Sequence, residues 1–233
     1  MHPIDKAARI AGAFYLLEVL VGPFSLMYVP NALFVTGNAA ATATNILAHE
    51  TLFRLGIVGD LLNGTLGLCT VLALYNLFKR VDQNLAVLMV ILGGLMVTPI
   101  FYVNSLNWAA ALQLVHGAPY LAAFDEGQRD ALAMLFIRLH SQGNIVNGVF
   151  WGLWLFPFGL LVMRSGFLPR LLGLWLLVNG FAYLVITYVG LMLPQYHDMA
   201  FNLAFPALLG EIAIMLWLLV MGANVNKVNA ERG

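Results

Sequence analysis

Apolar residues dominate six long stretches of the chain, and short polar runs separate them. The stretches cover 10–29, 55–78, 85–106, 145–163, 171–193 and 203–222. Each is close to the roughly 20 residues that a helix needs to cross the hydrocarbon of a bilayer. Between them lie Lys79-Arg80-Val81-Asp82-Gln83-Asn84, Arg164-Ser165-Gly166-Phe167-Leu168-Pro169-Arg170 and Pro194-Gln195-Tyr196-His197-Asp198, all short enough to be turns. Two connections are longer, 30–54 and 112–144. In the first, Asn38 stands as a helix N-cap before the Ala-rich run 39–48. In the second, Asp125 and Gln128 have capping-box spacing ahead of 131–139. The pattern therefore predicts an all-α polytopic bundle of six membrane spans in a single membrane domain. Short interfacial helices are expected near 39–48 and 126–139, although 126–139 reads equally as the start of one projecting helix.

The few polar residues inside the spans fall at helical spacing. Gly56, Asp60, Asn63 and Gly67 share one face of span 2, and His140, Asn144, Asn147 and Trp151 share one face of span 4. Ala11, Tyr15, Glu18 and Gly22 do the same in span 1. Span 3 offers Asn104 and Asn107, span 5 offers Asn179, Tyr183 and Thr187, and span 6 contributes Glu211. Ionisable groups in hydrocarbon are expensive, and are functional candidates for that reason. No span carries a lysine or arginine at mid-depth, so Glu18, Asp60 and Glu211 must be neutral, hydrogen-bonded or facing water. Inward stripes on six helices predict a polar cavity open to the outer side. Its expected ligand-binding residues are Glu18, Asp60, Asn63, His140, Asn144, Asn147 and Glu211. The competing reading is that these groups join helices to one another, with glycines allowing close approach.

Composition sharpens this picture by exclusion. The chain has 233 residues, of which 61% are hydrophobic and only 9% charged, with no net charge. Soluble domains carry about 25% charged residues. Nucleic-acid binders need a basic footprint, which is absent here. One cysteine, Cys69, rules out a disulfide scaffold. The partner the composition demands is the lipid bilayer. With both termini cytoplasmic, Lys6, Arg9, Lys79, Arg80, Arg164, Arg170, Lys227 and Arg232 lie inside, and Arg54, Arg129 and Arg138 lie outside, as the positive-inside rule requires. The first span contains Glu18 and lacks a small-residue cleavage site, so it is expected to be retained.

Segments 54–64 and 138–148 align without a gap. Arg54-Leu55 matches Arg138-Leu139, Gly59-Asp60 matches Gly143-Asn144, and Asn63-Gly64 matches Asn147-Gly148; Arg80 and Arg164 continue the offset. A parallel internal repeat of spans 2–3 and 4–5 is expected, with Asp60 and Asn144 equivalent.

The chemistry stays open between classes. Retinal would need a mid-membrane lysine and transmembrane haem would need histidines at both depths; neither is present. No phosphate loop, dinucleotide fingerprint or nucleophile elbow occurs. The leading expectation is a module that binds or transports a small polar or amphipathic molecule. The sharpest alternative is a metal-dependent intramembrane hydrolase acting on a lipid-like substrate. In it His140, with Asp60 and His49 or His197, would hold zinc, although no ligand spacing such as H-x3-H supports it. A structural or partner-binding protein is the third class.

Several motifs resemble a bacterial membrane family known as domain of unknown function 4386. They are Ala8-Arg9-Ile10-Ala11-Gly12-Ala13-Phe14-Tyr15-Leu16-Leu17, Glu50-Thr51-Leu52-Phe53-Arg54-Leu55-Gly56 with Asp60, Leu139-His140-Ser141, Ser165-Gly166-Phe167-Leu168-Pro169-Arg170, and Gly210-Glu211 before Leu216-Trp217-Leu218. The resemblance implies a multi-span protein of the bacterial plasma membrane. It assigns no reaction, ligand or cofactor.

Overall fold

The computed structural model describes residues 2–224, so Lys227 and Arg232 lie outside the described residues. The described residues are all-helical, 87% helix and without strands. Among the described residues, six helices are long and apolar enough to cross a membrane: α1 (Pro3–Leu33), α3 (Glu50–Phe78), α4 (Gln83–His116), α5 (Glu126–Arg164), α6 (Arg170–Met192) and α7 (Pro194–Met221). The short helix α2 (Ala39–Ala48) lies between α1 and α3. Most of these helices outrun the apolar stretches that predict them, because helix continues into flanking polar residues, while 79–82 and 165–169 stay non-helical.

Capping explains several starts. The Asn38 side chain accepts from Ala41 N at 2.9 Å and opens α2. Asp82 accepts from Leu85 N at 3.1 Å and opens α4, while also taking an ion pair from Arg164 at 2.7 Å. Asp125 and Gln128 bond reciprocally, at 2.8 and 3.0 Å, as a capping box does. The expected separate helix at 126–139 does not form. Residues 126–153 run as one helix from that cap, because no proline or glycine pair interrupts them. A turn at Trp154 does interrupt α5, where Pro157 cannot donate to the carbonyl four residues back. Single π-helical turns occur at Phe24–Tyr28, Ile91–Leu95 and Trp217–Met221.

Two compact units divide the chain. Among the described residues, the first comprises 2–19, Thr65–Thr98 and 145–224. Its core gathers Phe78, Met89, Leu155, Phe158, Leu161, Leu176 and Ile214. Here α5 and α6 meet backbone to backbone. A Cβ at Gly152 would lie 2.7 Å from the carbonyl oxygen of Gly180, and one at Gly159 2.7 Å from that of Gly173. Lipid tails are as apolar as leucine, so such close packing, not withdrawal from water, holds membrane helices together. The second unit comprises Leu20–Gly64 and Pro99–Asn144. Its core is aromatic: Phe53 and Trp108 lie 5.3 Å apart, and Phe34 meets Trp108 edge-on at 5.7 Å.

Candidate functional site

The second unit holds a sealed acid–base pair. Asp60 on α3 and His140 on α5 are 0% and 2% exposed and share a hydrogen bond between a carboxylate oxygen and Nε2. The indole of Trp108, on α4, stacks on the imidazole with centroids 4.1 Å apart and planes at 25°. Gly56 makes room for that indole: a Cβ there would sit 2.7 Å from Trp108. Asn104 completes the frame, its amide nitrogen donating to the His140 carbonyl at 2.9 Å and to the Asn144 side chain at 3.0 Å. Asn107 donates in turn to the Asn104 side-chain oxygen at 3.0 Å. Gly143 lies directly under the Asn104 amide, where any Cβ would overlap it. Two polar atoms of this frame, the second Asp60 oxygen and the Trp108 indole nitrogen, have no hydrogen-bond partner among the described residues.

The first unit holds a different cluster. Glu211, on α7, accepts from the Tyr15 hydroxyl of α1 and from the Asn179 amide of α6 at 3.4 Å. Tyr183 also hydrogen-bonds it. Glu18, on α1, lies close enough to Glu211 for their charges to interact, and hydrogen-bonds Thr70 of α3. Gly67 lets the α3 backbone approach this carboxyl, since a Cβ would fall 3.1 Å from its oxygen. Thr70 itself donates to the Leu66 carbonyl at 2.9 Å. Every group here is a carboxyl, hydroxyl or amide. No lysine, arginine or histidine pairs with either acid among the described residues. Unlike Asp60, both Glu18 and Glu211 are only partly buried.

The expected residues therefore divide. Asp60, His140 and Asn144 come together in the second unit, with Asn63 buried there too and its carbonyl oxygen 3.3 Å from where a Gly22 Cβ would stand. Glu18 and Glu211 come together in the first unit. Asn147 is fully buried in the first unit, and its amide has no partner among the described residues. The histidines do not converge. His140 meets one carboxylate, and His197 pairs with its neighbour Asp198 at 3.3 Å and packs against Gly190. No group of three His, Cys, Asp or Glu side chains able to hold a metal occurs among the described residues.

Trp108, Asn104, Thr70 and Tyr183 have structural roles in these clusters beyond those the sequence assigned. Asn104, Asn107 and Trp108 share one face of α4 at i, i+3 and i+4, which is the signal that could have found the frame.

A family model described as domain of unknown function (DUF4386) matches residues 10–222. No curated protein and no solved structure matches the chain. The chain belongs to the DUF4386 family.

Proposed function

We propose that this member of the family binds or transports a small polar or amphipathic molecule, and that Glu18 and Glu211 are its principal contacts. The observation that carries the reading is the pair of neighbouring carboxyls within membrane-length helices, with no basic residue beside them among the described residues. A carboxyl at that depth without a basic partner calls for a polar or cationic neighbour. Tyr15, Tyr183 and Asn179 already donate to Glu211, which fixes the orientation in which it meets a ligand with Glu18 nearby. The matching chemistry is a small amine or ammonium, with an apolar body suited to Trp and Tyr rings nearby; Tyr15 lies 6.2 Å from Trp154 and Tyr183 lies 6.1 Å from Trp151. The sealed Asp60–His140 pair serves as the fixed polar core of the other unit. Both termini are cytoplasmic in this reading and the protein resides in a bacterial plasma membrane.

Thermal unfolding of purified protein against a panel of small amines tests the reading. A ligand at about 100 times its Kd stabilises by about 2.7 kcal/mol, which corresponds to roughly 5–10 °C for a chain of this size. At least one amine is expected to produce such a shift, and Glu211→Gln is expected to abolish it. A panel without any response, or an equal response in the variant, contradicts the proposal.

A further inference from the structure

A cleft of about 550 Å³ opens in the second unit between α3 and α4, apart from both clusters. That volume falls within the range of ligand sites. Its walls are ordered by polarity. Arg54, Gln113 and His116 form one end, and Ile57, Ala109 and Leu112 form the rest. Ala109, Leu112 and His116 recur on one face of α4, and Arg54 and Ile57 on one face of α3. From His116 back to Ala109 the wall extends roughly 10 Å along the helix, at about 1.5 Å per residue. The polar end coincides with the first turns of α3 and the last turn of α4, where a membrane-spanning helix reaches headgroup level.

Glu50 organises the polar end. It accepts from Arg54 Nε at 2.6 Å and pairs with His116 Nε2 at 3.2 Å. That bond takes only one of the five guanidinium N–H groups. The terminal Nη fork of Arg54 has no partner among the described residues. A fork held by its Nε and free at its tips is suited to two parallel bonds to a phosphate. Gln113 adds an amide donor beside it.

We propose that this cleft is a binding site for one acidic phospholipid, with its phosphate on Arg54 and Gln113 and the start of an acyl chain along Ile57, Ala109 and Leu112. The occupant follows from the order of the walls: a bidentate anion donor at headgroup depth, then apolar surface running towards the bilayer interior. Free phosphate would leave the apolar wall unused, and a neutral lipid would leave the fork unused.

Native mass spectrometry of the detergent-purified full chain, titrated with phosphatidylglycerol or with phosphatidylcholine of the same acyl chains, tests this. The first lipid is expected to bind about tenfold more tightly than the second. Arg54→Gln, at an exposed position, is expected to erase that preference. Ile57→Trp, which fills the apolar wall and keeps the fork, is expected to weaken phosphatidylglycerol binding by a similar factor. Equal binding of the two lipids overturns the proposal, as does unchanged binding in either variant. Loss in Arg54→Gln alone would show adsorption of headgroups without use of the cleft, and counts against it equally. Neither residue belongs to the Glu18–Glu211 cluster, so failure here leaves the amine reading untouched, and the reverse.

Discussion

The two polar clusters solve the same problem in opposite ways. Asp60 has a base beside it, an aromatic ring covering that base, and almost no exposure. Glu211 and Glu18 have hydroxyls and amides beside them, no base among the described residues, and partial exposure. A buried acid bonded to a base can be closed off, because its partner supplies the compensating proton or charge. An acid without such a partner must stay neutral or find a ligand that supplies one. The difference assigns stability to the first cluster and ligand contact to the second, and substitutions should separate the two.

The largest effect is expected from Asp60→Ala. It leaves His140 buried without its partner, and breaking such a pair costs about 3–5 kcal/mol. Denaturant unfolding followed by circular dichroism measures it. A loss below about 1 kcal/mol would place the pair among groups that contribute little.

Gly143→Ala comes next. Its methyl group would enter the space of the Asn104 amide, which is tied on both sides, and overpacking of this kind costs about 1–3 kcal/mol. Combined with Asp60→Ala, the two losses should fail to add, because both act on one frame. Simple additivity in that double-mutant cycle would mean that Asn104 and the pair are independent.

In the other cluster, Tyr15→Phe removes one donor to Glu211 and should cost about 1 kcal/mol in the same unfolding assay. Tyr183 and Asn179 still hold the carboxyl, so the fold survives. The same variant should weaken amine binding measurably, since Glu211 loses a fixed orientation. A variant as tight-binding as the parent would detach Tyr15 from the site.

The architecture was legible in the chain, whereas the pairing inside it was only half so. Six apolar stretches and two caps, at Asn38 and Asp125, are local features, and local features can be read from sequence. Helical spacing also placed Asp60 and Asn63 on one face and His140 and Asn144 on another. What spacing cannot give is the partner across a helix–helix contact. The 54–64 and 138–148 alignment sets Asp60 beside Asn144 as equivalents, but the bond Asp60 makes is to His140, one turn away. Nothing along α4 reveals that Gly56 of α3 leaves a space for the Trp108 ring. Glu50, Arg54 and His116 were visible as charges, yet their joint geometry depends on the end of α4 lying against the start of α3.

The division of labour between the clusters is tested most directly by calorimetric titration of the best amine from the panel into three proteins: the parent, Asp60→Asn and Glu211→Gln. The account predicts that Asp60→Asn unfolds more readily yet binds the amine within about threefold of the parent. Glu211→Gln should keep its stability within about 1 kcal/mol, since an amide still accepts from Tyr15, and lose binding at least tenfold. The reverse pattern, with binding lost in Asp60→Asn and kept in Glu211→Gln, would contradict it.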